Sequence, residues 1–251
     1  MKIDLTGRTA LITGGSRGLG EAMALALAGA GASLALVARD LNRLQQVRAA
    51  IAAAGGRAEI FSADVTSEPQ VIAACEAVRQ ALGPVNILIN NAGTNIRKKL
   101  TDFSLEEFRS VIDSSLISTF LMSRAVLPQM QGRGYGRILN MSSTMGHVSL
   151  PMRTAYSSAK SGLLGFTRAL ALEVGAEGIT VNCISPGPIA TDMNAAIMSN
   201  PELNQQFLAS LPVGRWGEVR EVGALACFLC SPLAGFITGT DILIDGAWTA
   251  K

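Results

Sequence analysis

The sequence predicts an α/β fold: a doubly wound parallel sheet of about seven strands flanked by helices, in a single domain over residues 1–251. Three observations predict it. Apolar runs of strand length alternate with segments of helical period along the whole chain. No Pro/Ser-rich linker, low-complexity tract or repeat divides it. A glycine-rich stretch sits between the first apolar run and the first helical segment.

Each element is read in order. Residues 8–13 (RTALIT) form the first buried strand, followed by Thr13-Gly14-Gly15-Ser16-Arg17-Gly18-Leu19-Gly20 and a helix from about Glu21. The longest uncharged stretch, 22–38, approaches membrane-spanning length but is rich in Ala and interrupted by Gly29, Gly31 and Ser33. A helix, a turn and a second strand at 33–37 account for it. A helix over 41–54, a strand over 58–62, a helix over 68–82 and a strand over 85–89 (VNILI) follow. Residues 137–141, 180–184 and 241–244 supply the remaining strands. In such sheets ligands bind at the C-terminal ends of the strands.

Composition narrows the partners. The chain is 49% hydrophobic and 16% charged, with 21 basic and 19 acidic residues and a net charge of +2. That balance excludes disorder, and a chain of this length buries enough surface to need no disulfide or metal staple. Without a basic run interleaved with aromatics, neither nucleic acid nor an anionic membrane is expected as partner. Charges within the first eight residues argue against a secretory signal and for the cytoplasm. Cys75, Cys183, Cys227 and Cys230 read as reduced packing residues, and the lone His147 completes no zinc site, so no metal is expected.

Glycines after the first strand let the backbone turn sharply and bring a helix N-terminus, with its unpaired N–H groups, against a pyrophosphate. The spacing T-G-x-x-x-G-x-G resembles that of the short-chain dehydrogenase/reductase family. Its other marks follow in order: Asn90-Asn91-Ala92-Gly93, Ser143, Tyr156-Ser157-Ser158-Ala159-Lys160 and Pro186-Gly187. The resemblance covers nearly the whole chain and implies a Rossmann-like fold. It assigns Gly14, Ser16, Arg17, Gly18, Leu19 and Gly20 to the dinucleotide and Asp64 and Val65 to the adenine. It places Asn91, Ala92 and Gly93 along the cofactor, and Pro186, Gly187, Ile189 and Thr191 over the nicotinamide and phosphates. At the end of the second strand, Val37-Ala38-Arg39-Asp40 has Ala38 where a carboxylate would bind ribose hydroxyls. Arg39, with Arg17 opposite, can meet a 2′-phosphate, so NADP(H) is expected in preference to NAD(H). Plain solvated charge is the other reading of both arginines, and Asp40 would blunt the local field.

Reduction of a ketone needs a hydride on one face and a proton delivered to the oxygen. Lys160 lies one helical turn beyond Tyr156, and a cation there is expected to lower the phenol's pKa. Tyr156 is thus the expected acid/base, and by resemblance Lys160 also holds the nicotinamide ribose. Ser143, chosen over Ser142 by family spacing, would donate to the substrate oxygen. Many members carry an Asn in the helix after N-N-A-G that holds a water linking the lysine to solvent. Here Val111-Ile112-Asp113-Ser114-Ser115-Leu116 puts Ser115 in that place, with a shorter side chain and one fewer proton to donate.

The substrate is less constrained. Asn91-Ala92-Gly93-Thr94-Asn95-Ile96-Arg97-Lys98-Lys99 resembles the N-A-G-x-N-I-R-K of gluconate 5-dehydrogenases, and Arg97 stands where it can clamp a carboxylate, with Arg153 a second candidate. Solvated or inter-subunit charge is the alternative for both. The expected reaction is therefore NADP(H)-dependent interconversion of a secondary alcohol and a ketone on a small polyol or sugar acid such as gluconate/5-ketogluconate. The alternatives are 3-oxoacyl-thioester reduction and, in another class, an NADP-binding sensor or scaffold without turnover. Glu173 and Glu177 at the far end of the tyrosine helix speak against an acidic carrier. A lid is expected at about 190–215, with Met193, Ala195, Ile197, Met198 and Phe207 at helical spacing. His147 either touches substrate or caps its loop. The resemblance also implies a homotetramer.

Overall fold

The computed structural model describes residues 3–250. Seven strands, β1 (Thr9–Thr13), β2 (Ser33–Ala38), β3 (Arg57–Ser62), β4 (Ile87–Asn90), β5 (Gly136–Met141), β6 (Ile179–Pro186) and β7 (Asp241–Ile244), form one sheet. The order is β3-β2-β1-β4-β5-β6-β7 and every pairing is parallel. The chain builds outward from β1 to β3, then returns to β4 and builds the other way. The gap between β1 and β4 is therefore the topological switch point, where ligands bind in open α/β sheets.

The helices are α1 (Gly18–Gly29), α2 (Leu41–Ala53), α3 (Glu68–Leu82), α4 (Leu105–Ile112), α5 (Ser118–Met130), α6 (Thr154–Val174), α7 (Ala195–Met198), α8 (Pro201–Ala209) and α9 (Val219–Leu229). They cover both faces, so the strands are continuous apolar runs rather than alternating ones. On β1 the alternation instead divides two core clusters: Ala10 and Ile12 pack with Met23, Leu27 and Val222, and Leu11 with Val71, Val78 and Val126.

Several boundaries differ from the sequence expectation. Helix α1 begins at Gly18 rather than Glu21, because the last glycines of the motif already form its first turn. Strand β4 begins at Ile87 rather than Val85. The Val85 N–H is taken by the Gln129 side chain, and the Asn86 side chain accepts from the Thr9 N–H while its backbone bonds to Thr9 and Arg137 just ahead of the strand. The 22–38 stretch divides into α1 and β2 across Gly31, whose φ of 95° supplies the turn.

Residues Leu105–Met130 are long and apolar enough to cross a membrane by length and composition. This run is α4, a π-helical turn at Asp113–Ile117 and α5, and it packs against α3 and α6. It opens on a capping box in which Ser104 accepts from the Glu107 N–H and Glu107 accepts from Ser104. All four cysteines are free and buried.

Candidate active site

At the switch point, Gly14 (φ 63°) and Gly18 (φ 56°) hold left-handed conformations that side chains disfavour. A Cβ on Gly20 would lie 2.2 Å from the Gly14 carbonyl oxygen, so only glycine lets the helix start so close to the loop. Asn91, just past β4, donates from its amide to the carbonyls of Thr13 (3.0 Å) and Gly14 (3.1 Å). The Thr13 hydroxyl accepts in return from the N–H groups of Asn91 (3.0 Å) and Ala92 (3.1 Å). Thr13 thus joins the two cofactor loops. Sequence reasoning quoted it in the motif without giving it a role; its place as the last residue of the strand was the available signal.

No side chain caps α1, and the Cβ position on Gly18 meets nothing within 4 Å. The cradle therefore presents free backbone donors to open space, and it fits a dinucleotide pyrophosphate. Ser16 is half-buried, Arg17 exposed, and Leu19 packs into the core.

Arg39 is exposed at the end of β2. Asp40 is committed elsewhere: its carboxylate caps α2 by accepting from the Arg43 N–H at 3.1 Å and pairs with the Arg43 guanidinium at 3.5 Å. The Asp64 carboxyl is held below its usual range by the Thr66 hydroxyl (2.7 Å) and N–H (2.9 Å), against burial, with help from the Arg39 charge. Arg39 and Asp64 therefore line the same edge. Val65 is buried in the core.

Ser142 and Ser143, successive residues after β5, have different partners. Ser142 donates to the Lys160 carbonyl at 2.9 Å, inside the protein. Ser143 accepts from the Met145 N–H at 3.1 Å and is the hydrogen-bond partner of Tyr156. Tyr156 and Lys160 share one face of α6, with the ammonium 5.5 Å from the tyrosine ring centre.

The electrostatics correct the sequence expectation. Burial raises the Tyr156 pKa above its ordinary value, and the groups that pull it back are the Ser143 hydroxyl and the Arg153 charge. Lys160 is buried, donates to the Met141 carbonyl at 2.6 Å, and is pushed down to about 8 by desolvation. The Lys160 charge is not among the groups that set the Tyr156 pKa.

Ser115 lies in the π-helical turn. Its hydroxyl is buried without a hydrogen-bond partner, and its carbonyl accepts from the Thr119 hydroxyl at 2.7 Å. A Cβ on Gly93 would sit 3.0 Å from the Ser115 hydroxyl and 3.7 Å from the Lys160 nitrogen. The two polar groups thus flank one glycine.

Arg153 stands within reach of both the tyrosine and the Arg97 charge. Met152 has a φ of 67°, rare for a side-chain-bearing residue, and the next residue, Arg153, turns a buried Nη1 inward with no partner. Burial lowers the Arg153 pKa, the Arg97 charge lowers it further, and Tyr156 opposes both. Arg97 is exposed, and among the described residues neither arginine is in an ion pair.

Beyond β6, Pro186 and Ile189 are buried, Gly187 packs against Asp245, and Thr191 is half-buried. The segment above holds α7 and α8. Phe207 stacks on Trp216 with ring centres 4.6 Å apart, and the Trp216 indole N–H donates to Asn204 at 2.8 Å. The Met193 side chain lies outside the described residues. His147 caps the 3-10 turn after Ser143 and pairs with Asp241.

Comparison with known proteins bears on this geometry. A family model described as enoyl-(acyl carrier protein) reductase matches residues 14–249. The chain is 36% identical over 244 residues to the 3-oxoacyl-(acyl-carrier-protein) reductase of Vibrio cholerae, covering 97% of this chain and 98% of that protein. It is 33% identical over 247 residues to gluconate 5-dehydrogenase of Gluconobacter oxydans, covering 98% and 96%. Among solved structures, a candidate NAD(P)-dependent gluconate 5-dehydrogenase of Beutenbergia cavernae, with bound NADP at low occupancy, superposes with a TM-score of 0.94 at 32% identity over 100% of both chains. With the parallel sheet and the glycine cradle at its switch point, these matches show that the chain belongs to the short-chain dehydrogenase/reductase family and is an oxidoreductase acting on CH–OH or carbonyl groups with a nicotinamide cofactor.

Proposed function

We propose that this enzyme interconverts a secondary alcohol and a ketone on a small polyol or sugar acid such as gluconate/5-ketogluconate, using NADP(H). The observation that carries the substrate reading is that Arg153 stands within reach of both Tyr156 and the Arg97 charge, with no carboxylate paired to either arginine. A half-buried guanidinium with one buried, unpartnered nitrogen is costly, and a substrate carboxylate would satisfy it with parallel charge-assisted bonds. The gluconate dehydrogenases among the relatives support the same class.

The glycine cradle of Gly14, Ser16, Arg17, Gly18, Leu19 and Gly20 holds the pyrophosphate, and Asn91, Ala92, Gly93, Pro186, Gly187, Ile189 and Thr191 line the remainder. Arg39 receives the 2′-phosphate, left free to do so by Asp40's engagement with α2 and Arg43. The bound cofactor supplies or accepts the hydride. Tyr156 donates the proton to the carbonyl oxygen, Ser143 donates a hydrogen bond to that oxygen, and Lys160 holds the nicotinamide ribose. Ser115, whose hydroxyl has no partner within the protein, takes part in returning the proton to solvent. Residues 190–215 act as the lid.

A second reading, reduction of a 3-oxoacyl thioester, is favoured by Val148, Leu150 and Met152, exposed apolar residues on the loop leading to Tyr156, and by the Vibrio relative. The Glu177 argument against a carrier is weakened because its carboxylate is taken up by the Gln131 amide and the Gly132 N–H. NADPH oxidation on 5-ketogluconate, other keto sugars and acetoacetyl thioesters decides between them. For the sugar-acid reading, Arg97→Ala and Arg153→Ala raise KM for acids at least tenfold and leave neutral polyols unaffected; equal effects on both overturn it. A cytoplasmic homotetramer completes the proposal, with exposed Phe120 and Leu172 on the α5 and α6 side and Phe236 and Leu243 near β7 available for association.

A further inference from the structure

His147 and Asp241 are 94 residues apart in sequence, yet the imidazole Nε2 lies 2.5 Å from the Asp241 Oδ2. The other carboxylate oxygen accepts from the Ser185 hydroxyl at 2.8 Å, so both oxygens of Asp241 are engaged. Asp241 opens β7 and Ser185 lies in β6, and the aspartate side chain is only 12% exposed. The carboxylate is therefore a fixed point of the sheet rather than a mobile surface charge.

What hangs from that point is the loop that presents Ser143. Ser143 has an extended backbone and opens a single 3-10 turn at Thr144–Gly146. Its hydroxyl accepts from the Met145 N–H, and its carbonyl accepts from the Gly146 N–H at 2.8 Å. His147 closes the turn, with its N–H donating to the Thr144 carbonyl at 3.0 Å. On the other side the Ser161 hydroxyl of α6 donates to the Gly146 carbonyl at 2.9 Å. The turn is thus fastened once to the helix that carries Tyr156 and once to the edge of the sheet.

We propose that His147, through Asp241, is a positioning residue for Ser143: the pair sets where the serine hydroxyl stands relative to Tyr156. A short turn held at one end only can rock about the Ser161 contact. A hydroxyl displaced by a fraction of an ångström loses most of its preference for the charge developing on the substrate oxygen. The inference rests on the reading of Ser143 as donor to that oxygen, and it is independent of which ketone the enzyme takes.

A double-mutant cycle tests it. His147→Ala lowers kcat about tenfold, leaves KM and the NADPH Kd within twofold, and is restored in large part by His147→Gln, whose amide can still donate to Asp241. Asp241→Asn, the second route to the same loss, falls in the same range. In a Ser143→Ala background, His147→Ala has no further effect on kcat, because it acts only through the missing hydroxyl. Equal losses in both backgrounds, or an unchanged kcat in His147→Ala, overturn the proposal. If Ser143→Ala itself leaves kcat unchanged, the reading of Ser143 fails instead, and the pair's positioning role fails with it.

Discussion

The Lys160 ammonium donates to the carbonyl oxygen of Met141, 2.6 Å away at the end of β5, while it stands 5.5 Å from the ring centre of the tyrosine one turn earlier on its helix. Two consequences follow, one for stability and one for the pH at which the tyrosine works.

Burial lowers the Lys160 pKa from 10.5 to about 8. Between those values the unfolded chain binds a proton that the folded protein lacks, so this group makes stability rise with pH across the window. Below pH 8 both states carry the proton and the buried charge costs its full amount, of the order of 3 kcal/mol at most. Lys160→Met should therefore raise Tm of the cofactor-free protein below pH 8, and the gain should vanish above about 10.5, while turnover is lost. A Tm difference that does not change with pH would contradict this.

Tyr156→Phe should lower kcat by about 10²- to 10⁴-fold, the usual scale for losing a positioned acid. With burial raising the phenol and Arg153 pulling it down, removing Arg153 leaves burial less opposed. The acidic limb of kcat/KM for alcohol oxidation, where the phenolate is the base, should therefore move to higher pH in Arg153→Gln. A shift to lower pH, or none, would show that the Arg153 charge does not reach the phenol.

Gly20→Ala should abolish tight NADPH binding, because its new methyl would meet the Gly14 carbonyl at 2.2 Å and the Asn91 amide at 2.7 Å. Both atoms belong to the cradle, so the loop must shift. Fluorescence titration with NADPH checks this, and an unchanged Kd would mean the loop yields cheaply.

Arg39→Ala should reduce the NADPH over NADH preference by roughly tenfold or more, the scale of one charge-assisted contact of about 1.5–3 kcal/mol. The ratio of kcat/KM for the two cofactors measures it. Asp40→Ala serves as a control: it removes the side chain that caps α2, so it should shift stability more than cofactor choice.

Much of the fold was legible in the sequence because strand burial and helix period are local properties of the chain. The runs at 8–13 and 33–37 carry apolar centres (Ala10 to Ile12, Leu34 to Val37) that are buried since helices cover both faces of the sheet, and the structure places β1 and β2 there. The glycine motif was equally legible, because φ above zero and close backbone approach leave glycine as the only comfortable residue. By itself, then, the sequence determined the fold class, the family and the glycine cradle at the switch point.

The tertiary structure alone decided what those groups feel. Spacing places Lys160 one turn from Tyr156, but only the fold supplies the Met141 carbonyl that its ammonium donates to and the burial that lowers its pKa. The approach of Arg97 to Arg153, the junction made by Thr13 and the pairing of His147 with Asp241 all join residues from different strand ends. Desolvation and charge coupling depend on distances in space, and contacts between residues up to 94 positions apart leave no period or motif in the chain that encodes them.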